Sequence, residues 1–334
     1  MNAQDRARAF PVFRENVWLI NPATETSLLI TSSSRYEVPE ADARKFLKMR
    51  SYCTGFQSQA DIAAKSGLTV DEVDTLVCAM AEVDVLRQAD DTPPDIEQVR
   101  TMLQRGCALW AEELYMMNMG NQFMSDDLPP RVFMAWLVEL VHFYRALPGA
   151  FLAAARASDS PALAPLLQRY AERTGRRVQP LLETLANLGV SRDQVDETTP
   201  MMATRLADFL MRELFETLPA GALAVAALIE ACALDAGQCE ALLANATHHY
   251  GWDAAQLGPF LSLQQSMIDE GQGRLLAENL DLIHINDRAD LNRLTNQLHD
   301  LVHVFFLLSD ELRQYYRPLH GKYLFRKPMK FADI

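Results

Sequence analysis

Residues 250–276 read YGWDAAQLGPFLSLQQSMIDEGQGRLL, and residues 170–190 read YAERTGRRVQPLLETLANLGV. In the first stretch Gln265, Asp269 and Gln272 stand at i, i+4 and i+7. In the second, Glu172 and Gln179 stand seven apart. At 3.6 residues per turn, each set lies on one face of a helix. Carboxylates placed this way inside a helical bundle hold metal ions when imidazoles complete the set. Here the places suited to imidazole carry amides, which are poor ligands for iron, zinc or manganese. The spacing predicts a helical bundle whose metal-type positions have lost their ligands.

Composition narrows the rest. The chain has 334 residues, 49% of them hydrophobic, enough for one large domain or two ordinary ones. A formal net charge of −13 argues against nucleic acid or an anionic membrane as partner. The sequence reads as lacking an apolar run of transmembrane length and a signal peptide, since MNAQDRARAF is charged and short of apolar residues. The expected location is the cytoplasm. Cys53, Cys78, Cys107, Cys232 and Cys239 form no CxxC pair and read as small hydrophobes in a reducing compartment.

The first 90 residues differ in kind from the others. Val17–Asn21, Ser27–Ser32 and Arg35–Glu40 alternate like short strands. Helices are predicted at Ala41–Arg50 and Gln59–Ser66. A third opens on a capping box, with Thr69 at the N-cap and Glu72 at N3. Its apolar face carries Val73, Val77 and Met80. Three strands followed by three helices make a winged-helix-like α+β module. The run Asp90-Asp91-Thr92-Pro93-Pro94 marks a linker. From residue 95 to 334 the periodicity is helical, at about 95–118, 130–157, 162–188, 200–217, 221–234, 237–248, 254–279 and 287–316.

Residues 15–88 resemble the PqqD-like family, the recognition elements of ribosomal peptide modification systems. The likeness rests on the element order and on two runs, SRYEVPEADARKFLKMR and QADIAAKSGLTVDEVDTLVCAMAEVDVLRQ. It implies that a precursor's leader peptide adds as a strand to the third strand, at Tyr36 and Val38, and packs against a wall of Val73, Val77 and Met80. An edge strand offers the backbone groups for that addition. DNA binding, the other use of a winged helix, is disfavoured. The segment Thr69–Val85 holds Asp71, Glu72, Asp74, Glu82 and Asp84 and no Lys or Arg.

The helical part resembles the heme-oxygenase-like diiron oxidase superfamily, which includes thiaminase-like and PQQ-synthase-like proteins. YAERTGRRVQPLLETLANLGV is similar to its Glu-x6-His helix, and residues 250–276 are similar to its His-x3-Asp-x2-His helix. The resemblance makes Glu172, Glu230 and Asp269 the retained carboxylates. It puts Gln179, Gln265 and Gln272 at the histidine positions. The expectation is a pseudo-enzyme that holds no metal, its carboxylates and amides bonded to one another inside the bundle. Two histidine pairs stand elsewhere as a possible relocated site: Glu139 with His142 at i, i+3, and His299 with His303 at i, i+4.

These features together imply a binding subunit without a cofactor of its own. It would capture a ribosomal precursor peptide for a separate, iron-dependent modifying enzyme. The alternative is a heme-oxygenase-like oxidase, metal-dependent or cofactor-free, that acts on a carrier peptide directly.

Overall fold

The computed structural model describes residues 7–14, 18–20, 26–31, 34–83, 85–87, 95–117, 119–125, 128–271, 273–285, 288–316 and 325–331. The chain forms two compact units, Met1–Pro93 and Pro94–Ile334.

In the N-terminal unit β1 (Trp18–Ile20), β2 (Thr26–Ile30) and β3 (Arg35–Pro39) form an antiparallel sheet in that order. Leu29 pairs with Tyr36 and Ser27 with Val38, so these residues share one face of the pleat. The helices are α1 (Glu40–Arg50), α2 (Gln59–Ser66) and α3 (Val70–Glu82). Gly67, at φ +71, closes α2 in a conformation that costs other residues strain. The predicted capping box opens α3: Thr69 Oγ1 accepts from the Glu72 N–H at 3.2 Å, and Glu72 accepts from the Thr69 N–H at 2.9 Å.

The core of this unit joins Phe13, Leu29, Phe46, Met49 and Ile62 to the apolar face of α3. That corrects one expectation. Val73 and Val77 are fully buried and Met80 nearly so. They fill the core instead of walling a groove, because so small a unit has few other side chains with which to exclude water. Tyr36 and Val38 are half-buried and pack on the same core.

The second unit is built from helices, with no strand among its described residues. It runs α4 (Ile96–Met117), α5 (Met119–Ser125), α6 (Pro130–Ala157), α7 (Leu163–Gly175), α8 (Val178–Asn187), α9 (Arg192–Asp196), α10 (Met202–Thr217), α11 (Gly221–Glu230), α12 (Ala236–Tyr250), α13 (Ala254–Asp269), α14 (Arg274–Glu278) and α15 (Arg288–Tyr316). α6 is central and packs on α7, α8, α10 and α15. It is long and apolar enough to cross a membrane by length and composition. That differs from the expectation of no such run, since Arg131, Glu139, Arg145 and Arg156 interrupt the stretch. Most of its apolar residues lie in the core of the unit, with Leu152 exposed.

Two predicted helices are each broken in two. The first breaks at residues 176–177. Pro180 has no N–H for the Arg176 carbonyl, and its ring crowds that carbonyl, so the helix restarts as α8. The second breaks at residues 270–273, where Gly271 and Gly273 take φ +87 and +66. A straight helix does not accommodate either angle. Pro259, inside α13, likewise frees the Ala255 carbonyl, which accepts from Asn187 Nδ2 at 3.4 Å and so ties α8 to α13. The C-terminal segment 325–331 docks at the start of α10, with Thr199 N–H donating to the Arg326 carbonyl at 2.8 Å.

Candidate functional site

At the break between α7 and α8, Arg177 is buried in the bundle while Arg176 stays exposed. Arg173 Nη2 donates to Glu230 Oε1 at 3.0 Å, and the other Glu230 oxygen accepts the Gly273 N–H at 3.0 Å. Glu270 Oε2 accepts from Arg177 Nη2 at 3.0 Å and lies 3.3 Å from Arg173 Nε. Beneath the cations lie two aromatic rings. Arg173 Cζ is 4.9 Å from the Tyr170 centroid, and Arg177 Cζ is 5.4 Å from that of Tyr144. Both distances suit cation–π contact. Burial pushes the Glu230 carboxyl up to about 7, with Arg173 and the Gly273 N–H pulling the other way.

This cluster floors a cleft of about 620 Å³ lined by Arg173, Arg176, Arg177, Pro180, Ser266 and Glu270, among others. Its size suits a small-molecule ligand.

The expected metal positions lie elsewhere, with one exception. Glu172, Gln179, Gln265 and Asp269 are all exposed. Gln179 Nε2 donates to Glu183 and Gln265 Nε2 to Asp269, both at 2.8 Å. Only Glu230 is buried as expected, and Gln272 lies outside the described residues. No network of these carboxylates and amides forms inside the bundle.

The residues at the cleft are the next ones along. Arg173 and Pro180 line it beside Glu172 and Gln179, and the half-buried Glu270 and the exposed Ser266 line it beside Asp269 and Gln265; Gly273, next to Gln272, gives its N–H to Glu230. A step of one residue turns a helix by 100°, enough to exchange a solvent face for a core face. The i, i+7 spacing is the same in either register, so spacing alone does not choose between them. The signal that was missed is chemical: two adjacent arginines ahead of a proline, in a chain rich in acids.

A second, smaller space of about 90 Å³ lies among α6, α10, α11, α13 and α15. Trp136, Glu139, Tyr144, Thr204, Cys232 and Gln264 contribute to its walls. Leu263 borders both this cavity and the cleft. Glu139 is buried, and its Oε2 accepts from the Met201 N–H at 3.0 Å and from Thr204 Oγ1 at 2.5 Å. Burial pushes its carboxyl up to about 7, against the pull of those two donors. Burial also lifts the Cys232 thiol to about 12, which leaves no thiolate for nucleophilic chemistry.

The histidine pairs do not assemble a relocated metal site. His142 Nε2 sits 2.7 Å from Thr198 Oγ1, away from Glu139's partners, and burial pulls its pKa down to about 4. His299 and His303 do meet, their Nε2 atoms 3.2 Å apart on α15. Among the described residues, however, no three His, Cys, Asp or Glu side chains gather where a metal could be held.

Among solved structures the chain is similar to a domain of unknown function with a heme oxygenase-like fold from Shewanella denitrificans. The identity is 14% and the TM-score 0.53, over 67% of this chain and 94% of that one. Coverage of that extent requires the helical unit. This unit has a heme-oxygenase-like fold. A TenA homologue from Pseudomonas syringae pv. tomato is similar at 11% identity and a TM-score of 0.51, over 66% of this chain and 94% of that one. At these identities the likeness is one of fold. No protein-family model matches the chain, and no curated protein matches it in sequence.

The residues of the heme-oxygenase-like unit do not fit a diiron centre. Three guanidinium cations line the cleft, and both Glu230 oxygens are already engaged. Among the described residues no imidazole lines the cleft. A cation entering here meets like charge and a carboxylate that must first give up its partners.

Proposed function

We propose that this chain is a non-catalytic binding subunit of a ribosomal peptide modification system, working in the cytoplasm. Its N-terminal unit, read as a PqqD-like winged helix, takes a precursor's leader peptide as an added strand. A separate, iron-dependent enzyme carries out the modification, and the heme-oxygenase-like unit is the part that docks to it. The observation that carries this reading is the edge position of β3. Its only strand partner among the described residues is β2, so the backbone groups of Tyr36–Val38 that point away from β2 are available to a peptide. The exposed Asp71, Asp74 and Glu82 on α3 favour a peptide over a nucleic acid at this unit.

The test is selection of peptides from a displayed library on the full chain, followed by hydrogen exchange with a selected peptide. Slowed exchange at Tyr36–Val38 is expected, and Val38→Pro should weaken binding while the helical unit stays folded. Binding with no added protection at β3 would rule out strand addition there.

One observation favours a second reading, a cofactor-free oxidase acting on the peptide itself. Glu139 borders a mostly apolar cavity with a carboxyl poised near neutral pH, as a general acid or base requires. Turnover by this chain alone, abolished by Glu139→Gln, would establish that reading over the first.

A further inference from the structure

From the arginine cleft we infer a second binding site, in the helical unit, for a carboxylate-bearing ligand. The inference does not depend on peptide capture at β3.

The argument is a count of donors and acceptors. A guanidinium carries five N–H donors and no acceptor. Three of them line the cleft. Against them stand one oxygen of Glu270, which serves both Arg173 and Arg177, and one oxygen of Glu230, which serves Arg173. Arg176 has no ion-pair or side-chain hydrogen-bond partner among the described residues. Arg177 is only 3% exposed, and its Nε and Nη1 face no acceptor. The Tyr170 hydroxyl beneath is also buried without a partner. Charged donors buried unpaired are unfavourable, and an acceptor arriving from the cleft relieves them.

The shape and rigidity of the site agree. The planar fork of arginine matches a carboxylate with two parallel hydrogen bonds. Arg177 is held by Glu270 and by the Tyr144 ring, so little side-chain freedom is lost on binding. Glu183, a carboxylate that also lines the cleft, accepts from Gln179 through one oxygen. In a chain of net charge −13 this cluster is a local reversal of sign, and it draws an anion that the rest of the surface repels.

A free small acid and a peptide's terminus both present this group. The test titrates the full chain calorimetrically with succinate, with its neutral diamide, and with a short peptide ending in aspartate and its C-terminally amidated form. Saturable binding of succinate or of the acid peptide, but not of the neutral counterpart, is expected. Tighter binding of succinate points to a free acid, and tighter binding of the peptide points to a terminus. Arg176→Gln, which removes an exposed side chain, should weaken the binding about tenfold or more. Ser266→Glu, placing a carboxylate on the cleft wall, should abolish it. No saturable binding of either acid, or binding that survives both substitutions, overturns the inference.

Discussion

Arg173 Nη2 donates to Glu230 Oε1 across 3.0 Å, joining α7 to the end of α11 over 57 residues of sequence. Glu230 is 1% exposed, whereas a third of the Arg173 side chain meets solvent. Removing one partner of a buried pair strands the other charge. Arg173→Met should therefore destabilise the helical unit by about 2–3 kcal/mol, less than for a fully buried pair because water screens the arginine. Glu230→Gln keeps an acceptor for Arg173 and should cost only about 1 kcal/mol. Urea unfolding of the two variants checks the ordering; equal losses would contradict it.

Glu139 gives the helical unit a pH dependence of definite sign. Burial raises its carboxyl from an ordinary 4.5 to about 7, so the folded chain keeps a proton that the unfolded chain releases. Between those values the folded state binds more protons, and stability falls as pH rises, by roughly 3 kcal/mol at most from this group. Glu139→Gln preserves an acceptor for Met201 and Thr204 and should flatten that part of the profile. Unfolding midpoints at pH 5 and pH 8 measure the slope. A slope unchanged by the substitution would assign it to other groups.

The burial of Val77 makes it a core residue before anything else. Val77→Ala should destabilise the N-terminal unit by about 1–3 kcal/mol, whereas Leu47→Ala, at 55% exposure, should change it by less than about 0.5 kcal/mol. Thermal unfolding monitored on this unit separates the two.

Alkylation should distinguish the cysteines. Burial pushes Cys53, Cys107 and Cys232 up to about 12, while Cys78 is partly exposed on α3. Iodoacetamide at neutral pH should modify Cys78 well before those three, as peptide mass spectrometry would show. Early loss of Cys107 would mean that α4 opens readily.

Much of the fold could be read from local patterns. The α6 range 130–157 and the α2 range 59–66 follow from their flanking prolines, caps and glycine, and the Thr69–Glu72 box forms as its residues require. The two broken helices were not legible, because apolar periodicity continues across 176–177 and 270–273 and hides what Pro180, Gly271 and Gly273 do to the backbone. The short α5 and α9 were too brief to carry a period. For the site, Glu230 is named only through the resemblance, which places an isolated glutamate on the intervening helix. Arg173, Arg177 and Glu270 were missed because a one-residue rotation leaves the spacing intact while exchanging which side chain faces inward. Val73, Val77 and Met80 were read as a groove because an apolar stripe looks the same whether a peptide or the unit's own sheet covers it.

The left-handed turn at Gly273 bears on what this lineage can become. A histidine at that position would have to hold φ +66, so gaining a ligand there means rebuilding the chain path as well as changing a side chain. Arg173 would have to leave before any cation could enter, and its departure strands Glu230. Converting this cleft to a cation site therefore takes coupled changes in the backbone and in an ion pair, and no single substitution supplies both.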